Sequence, residues 1–265
     1  MLGAIIGDVV GSLYEFESQK TKIFPFFGAG CQLTDDSMMT VAIGCACVEA
    51  DLTDEEDFKD QCCRWMRRIG QAFPDAGYGE MFWHWLHGGI TNAYRSYGNG
   101  SAMRVSPVAW AAESLEQAEE LAAWSAEVTH NHPEGIRGAQ AVAAAVYLAR
   151  TGSSKEEIKA YIEEKYYDLD FTLDAIRPGY KFNVTCQGSV PQAIQCFLEA
   201  ENFEDAVRNA ISLGGDGDTQ AAMAGAIAEA YFGIPEELAE QVLEYFPEEI
   251  ADYYEHILSS SDWGA

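Results

Sequence analysis

Basic residues are scarce in this 265-residue chain, where 16 Lys and Arg face 43 Asp and Glu and leave a formal charge of −27. That shortage argues against binding long nucleic acid through its backbone, because few side chains are there to displace condensed counterions. A short anionic ligand is not excluded, since helix N-termini, glycine-loop amides and divalent cations hold one without a basic face. CxxC pairs are missing as well. The seven cysteines are an odd number and read as reduced, small core residues, with vicinal Cys62 and Cys63 open to oxidation in air. Neither cysteine nor histidine shows zinc-ligand spacing. The opening MLGAIIGDVVGSL has no basic flank and Asp8 interrupts its apolar run, so neither export nor a membrane span is expected and the cytoplasm is the expected location. Sustained period-two alternation, strict repeats and low-complexity tracts are also absent.

What remains is a helical signal. Ser106 before Pro107 has the form of an N-cap, Ser114 to Gln117 has capping-box spacing, and Pro235 opens an amphipathic segment. The expected fold class is all-α, a compact single-domain helical bundle over residues 1–265. The stretch 167–190 reads as a long ordered loop, and IFPFF and FNVTC are expected to pair only locally. Acidic stretches such as DLTDEEDF fit a solvated helical surface.

Two acidic triads stand apart from that surface. Thr34, Asp35 and Asp36 directly precede an apolar run, and Asp216, Asp218 and Thr219 open GGDGDTQAAMAGAIAEAYFG, whose small residues require interior packing. Unpaired charge at the head of a buried helix is costly, so something must neutralise these carboxylates. Two hard divalent cations bridged by shared carboxylates need about five or six oxygen ligands, which the triads supply, with Glu15 as a further candidate. Helix capping accounts for either triad alone but not for paired carboxylates at both. An EF-hand loop fails for want of a glutamate at its twelfth position.

The first helix candidate, residues 3–17, carries Gly3, Gly7 and Gly11 as a bare stripe that another helix can approach, while Asp8 is expected to bond neighbouring backbone and Glu15 to reach into a site. Between the triads, SYGNGSAMR brings the amides of Gly98 and Gly100, with Asn99 and Arg104, into the composition of a phosphate cradle or of a simple turn. THNHPEG places His130 and His132 before the proline of a helix, in either a ligand-binding or a structural role.

Taken in order, GAIIGDVVGSLYEFE, LTDDSMMTVAIG, GNGSAMR, THNHPEG and GGDGDTQAAMAGAIAEAYFG resemble the ADP-ribosylglycohydrolase family, over residues 2 to about 233. The resemblance implies a compact all-α fold around a binuclear Mg2+ or Mn2+ centre that hydrolyses the bond between ADP-ribose and its acceptor. It implies Thr34, Asp35, Asp36, Asp216, Asp218 and Thr219 as metal ligands and Glu15, Asp36 and Asp216 as catalytic carboxylates. It implies Gly98, Asn99, Gly100, Ser101, Met103, Arg104 and His130 as substrate contacts, with an ADP-ribosylated protein or other acceptor as partner and ADP-ribose as product. A noncatalytic ADP-ribose binder and a dimetal nucleotide phosphohydrolase are the alternatives on the same residues. Two positions depart from the family pattern: Gly217, where a small polar residue is commoner, and Glu229, which bears on the closeness of one helix crossing.

Overall fold

The structure, a computed structural model, describes residues 1–16 and 18–260. Among them are fifteen helices and no strand. The N-terminal part contributes α1 (Leu2–Gly11), α2 (Asp35–Glu49), α3 (Glu55–Ala72), α4 (Glu80–Leu86) and α5 (Gly100–Met103). Next come α6 (Ser106–Ala111), α7 (Leu115–Glu127), α8 (Pro133–Arg150), α9 (Lys155–Lys165) and α10 (Leu173–Ile176). The chain ends with α11 (Cys186–Leu198), α12 (Phe203–Ser212), α13 (Gly217–Phe232), α14 (Glu236–Leu243) and α15 (Glu248–Leu258). None is long and apolar enough to cross a membrane, and all seven cysteines are free thiols.

The axis of the molecule is α13, buried all round from Gly217 to Ala228. A helix without a polar face must be surrounded, and α1, α12, α11 and α8 enclose this one. The α1 crossing is set by glycine. A Cβ at Gly3 would lie 2.3 Å from Gly225 O, one at Gly7 2.1 Å from Ala221 O, and one at Gly11 2.4 Å from Asp218 Cα. The two backbones therefore touch, and the last of these contacts delivers the end of α1 to the acidic start of α13. Glu229 does not loosen the crossing. Its Cβ passes beside Gly3 while its Oε2 accepts from Gly3 N at 2.8 Å and from the Met1 amino group, so the departure at this position caps α1.

Several local expectations need correction. The first helix stops at Gly11, where Ser12 closes it and Tyr14 N turns back to Gly11 O; Glu15 therefore lies in the turn beyond it, and Glu17 falls outside the described residues. Ser106 sits inside α6, with Val105 at the cap position. Ser114 does cap α7 by accepting from Gln117 N, but the Gln117 side chain reaches Glu113 N instead of returning to Ser114. The loop 167–190 is interrupted by α10 and by the start of α11. Within FNVTC, Thr185 forms an isolated antiparallel bridge with Gly98, because Asn99 N and Cys186 N each donate across it, to Val184 O and Tyr97 O. That bridge ties the glycine loop to α11.

Candidate active site

Asp8 is the anchor on which the first triad is built. Its Oδ1 accepts from Thr34 Oγ1 at 2.6 Å, and its Oδ2 accepts from Thr34 N at 2.9 Å, Ser37 N at 3.1 Å and Ser37 Oγ. Two of these donors, Thr34 N and Ser37 N, are otherwise orphaned groups at the start of α2, so a fully buried carboxylate fixes where that helix begins. Thr34 Oγ1 also accepts from Asp36 N. Capping falls to Thr34, and the two following carboxylates are released from it. Asp35 is held through its own N–H, which donates to Ala76 O at 2.8 Å.

Across the cavity, the second triad starts at Gly214, whose φ of +62° is in the left-handed region that glycine tolerates. Asp216 stands at the N-cap of α13 without capping it. Instead, its Oδ2 accepts from Asn99 Nδ2 at 2.7 Å, and that nitrogen also donates to Ser189 Oγ at 3.3 Å. Asp218 Oδ1 accepts from Thr219 N, and Thr219 Oγ1 donates to Asp36 Oδ2 at 3.2 Å, joining the two triads directly. Asp36 Oδ1 is buried and has no hydrogen-bond partner among the described residues.

Carboxylate oxygens of Asp8, Asp36 and Asp218 lie within 4.8 Å of one another, and so do those of Glu15, Asp216 and Asp218. Asp218 belongs to both groups. Burial, and then the other carboxylates, push Asp35 up to about 8 and Glu15 up to about 7. Asp36 and Asp218 are held well above the usual carboxylate range, by burial first and like charge second. For Asp216 burial raises and the Asn99 hydrogen bond opposes. Such a cluster is neutralised by protons or by cations.

The carboxylates floor a cavity of about 410 Å3. Glu15, Asp35, Asp36, Asp216, Asp218 and Thr219 line it, as do Gly98, Asn99, Gly100, Met103, Arg104 and His130. Two expected residues face elsewhere. Thr34 lies behind the floor in its Asp8 network, and Ser101 Oγ donates to Gly135 O at 2.8 Å with Cys186 Sγ 3.8 Å away. Arg104 reaches the wall but is spoken for, since its Nη2 donates to Ser125 O at 3.0 Å and Thr129 Oγ1 at 2.9 Å. Burial, reinforced by Arg104, keeps His130 well below the usual histidine range and therefore neutral. His132 caps α8 by accepting from Glu134 N.

Sequence reasoning included Ser96 in the SYGNGSAMR stretch without giving it a role, and it missed Tyr94 on the wall and Glu80, Met81 and Phe82 at the head of α4. No spacing marks them, because they enter from separate turns. Phe182 and Val184 also line the cavity, and their apolar FNVTC segment was the available signal. Phe182 stacks on exposed Phe16, with ring centroids 6.1 Å apart.

An acid-floored pocket whose carboxylates could hold a metal ion, set in an all-helical domain, has what a metal-assisted hydrolase requires. The sequence matches the ADP-ribosylglycohydrolase family over residues 1–263, and the chain belongs to that family. It is 30% identical to ADP-ribosylhydrolase ARH3 of Mus musculus, the match covering 88% of this chain and 83% of that protein. It is 29% identical to ADP-ribosylarginine hydrolase Tri1 of Pseudomonas putida, covering 91% of this chain and 72% of that protein. The ADP-ribosyl-[dinitrogen reductase] glycohydrolase of Rhodospirillum rubrum is 24% identical, over 88% of this chain and 84% of that one. Among solved structures, one titled ADP-ribosylglycohydrolase-related protein complex shares the fold, with a TM-score of 0.70 at 23% identity over 98% of this chain and 95% of that one. The activity of the family is hydrolytic removal of ADP-ribose from an acceptor, and the chain is a hydrolase of that kind.

Proposed function

We propose that the chain releases intact ADP-ribose from an ADP-ribosylated protein, or another ADP-ribosylated acceptor, at a pair of Mg2+ or Mn2+ ions. The observation that carries this is Asp36 Oδ1, a buried carboxylate oxygen without a donor among the described residues, beside Asp218, which is common to both three-carboxylate groups. Asp35, Asp36, Asp216, Asp218 and Thr219, with Glu15, would hold the ions. Thr34 would support them from behind, because its hydroxyl is engaged by Asp8 and Asp36 N. When bound, the ions supply the positive charge that polarises ribose hydroxyls and water.

The rest of the work belongs to the protein. Glu15, at the edge of the carboxylate floor, is placed to take or give a proton at its carboxylate oxygen while cationic character builds at the anomeric carbon. Asn99 orients Asp216 through its amide and so couples the glycine loop to the carboxylate floor. Gly98 and Gly100 let a pyrophosphate approach the backbone beside His130. Phe16 and Phe182 stack along an adjoining groove that Glu15 also lines, on the side where the acceptor would lie.

The test is a panel of peptides and small acceptors carrying ADP-ribose on different linkages, scored for ADP-ribose release with Mg2+, with Mn2+ and with chelator. Release of ADP-ribose that chelator abolishes is expected. Release of inorganic phosphate or AMP would make the chain a phosphohydrolase, and binding without turnover on every linkage would make it a noncatalytic binder.

A further inference from the structure

Arg104 matches a substrate-contact position and lines the cavity, yet its guanidinium is engaged within the wall. It is 1% exposed, its Nη2 is shared between Ser125 O and Thr129 Oγ1, and its Nε has no partner among the described residues. The hydroxyl of Thr129, a fully buried residue, has one further bond, between Oγ1 and His130 Nδ1 at 2.7 Å. Among the described residues no third group bonds that hydroxyl.

Proton counting fixes the direction of this chain. A guanidinium only donates, so Thr129 Oγ1 is an acceptor towards Arg104. The hydroxyl has a single proton to give, and the sole remaining acceptor is His130 Nδ1. Were Nδ1 protonated instead, it would donate to Oγ1 and leave the buried hydroxyl proton with no acceptor, at the cost of an unsatisfied polar group. A doubly protonated ring would repeat that fault and add a second cation beside Arg104. Only one form satisfies every group, the neutral imidazole with its proton on Nε2.

The other side of the ring faces the ligand loop. A Cβ at Gly100 would come 3.1 Å from His130 Nε2 and one at Gly98 3.7 Å, so both glycines keep this nitrogen open towards the cavity. Gly135 lets the ring's own backbone sit close, since a Cβ there would lie 2.6 Å from His130 O and 2.7 Å from Ser96 O.

We propose that Arg104 and Thr129 are positioning residues that lock His130 as an Nε2–H donor towards an oxygen of the bound anionic ligand. Arg104 thus acts on the ligand through two other side chains, Thr129 and His130. The choice of ADP-ribose as that ligand rests on the function proposed above, whereas the tautomer does not.

The experiment reads the two halves separately. In 15N-labelled full-length protein at neutral pH, long-range proton–nitrogen correlation of the imidazoles, with His130 assigned by loss of its signals in His130→Gln, should show Nδ1 unprotonated and Nε2 protonated. Thr129→Val keeps the shape and removes the hydroxyl. It should mix the tautomers and weaken ADP-ribose binding, measured by calorimetry, about tenfold, a fold-change typical of one buried hydrogen bond, and Thr129→Ser should restore both. A wild-type ring protonated at Nδ1 overturns the lock, as does a Thr129→Val spectrum identical to the wild type. A tautomer that changes while ADP-ribose affinity does not, in a protein that still releases ADP-ribose from its substrates, overturns the ligand half alone. Absence of ADP-ribose release from any acceptor strikes the proposed function and leaves the spectroscopic result standing.

Discussion

Asp8 and Asp36 are the same side chain at similar depth, and their surroundings give them opposite uses. Among the described residues Asp8 receives four hydrogen bonds, whereas Asp36 receives one at Oδ2 and none at Oδ1. Asp8→Asn should therefore lower unfolding stability by about 2–4 kcal/mol, the range for breaking a buried charge-assisted network, measured by denaturant unfolding in chelator. Asp36→Asn should hold or raise stability in the same assay, because it removes like charge, and should lose most of the stabilisation that Mn2+ gives the wild type. Equal losses in both variants would deny the division between anchor and ligand. Glu15→Gln keeps shape and removes the titrating oxygen, so it should cut the single-turnover rate about a hundredfold or more while ADP-ribose affinity stays within a few-fold. Residue types and their grouping were legible in the sequence, and with them most of the cavity floor. Bond partners were not. Asn99 and Ser101 read alike within a glycine loop, but one donates to Asp216 and the other to Gly135 O, a distinction set by contacts 117 and 34 residues away.

A helix crossing obeys a simpler rule than a carboxylate site, and the α1–α13 pair was correspondingly easier to anticipate. Glycines four residues apart mark a face that a backbone can touch, and the small residues of GDTQAAMAGAIA supply the partner. The end of α1 was not legible, because the turn that stops it is made by ordinary residues and by the Tyr14 N to Gly11 O bond. Nor was the bridge from Gly98 to Thr185, which needs two segments far apart in the chain. Gly7→Ala should be among the most damaging single-methyl additions, since the new Cβ would lie 2.1 Å from Ala221 O and 2.3 Å from its carbonyl carbon and neither helix can move aside. Overpacking of this kind costs about 1–3 kcal/mol and more where backbone is struck. Gly79→Ala, with nothing within 4 Å, is the matched control and should change stability by no more than about 0.5 kcal/mol. Comparable denaturation midpoints for the two variants would mean that the crossing is looser than the glycine stripe requires.

At the scale of the whole molecule, a chain of formal charge −27 that also gathers carboxylates in its interior must show the strain in its pH dependence. Asp35 at about 8 and Glu15 at about 7 compare with about 3.9 and 4.3 in an unfolded chain. Between those limits the folded state binds more protons than the unfolded one, so the slope of stability against pH is negative and stability falls as pH rises. Asp36 and Asp218, also raised well above the usual carboxylate range by burial and like charge, act in the same direction. His130 acts oppositely, because its folded form stays neutral while the unfolded ring takes a proton below about 6.5. Surface carboxylates are ionised in both states well below that value. From about pH 6.5 to 8 the several carboxylates of the buried cluster outweigh the one buried Met1 amino group, which burial lowers from its usual value and which acts in the opposite direction. In chelator, the melting temperature should decline across that window. With saturating Mn2+ the decline should flatten or reverse, because cations displace the same protons and bind more tightly as pH rises. Glu15→Gln and Asp36→Asn should each shallow the chelator slope, since each removes a group that titrates. Repeating the series at high salt separates the cluster from the surface, whose repulsion is screened within about a Debye length. A melting temperature that climbs from pH 6.5 to 8 in chelator would show that the carboxylates are ionised without cations, and the case for metal at Asp36 and Asp218 would lose its physical basis.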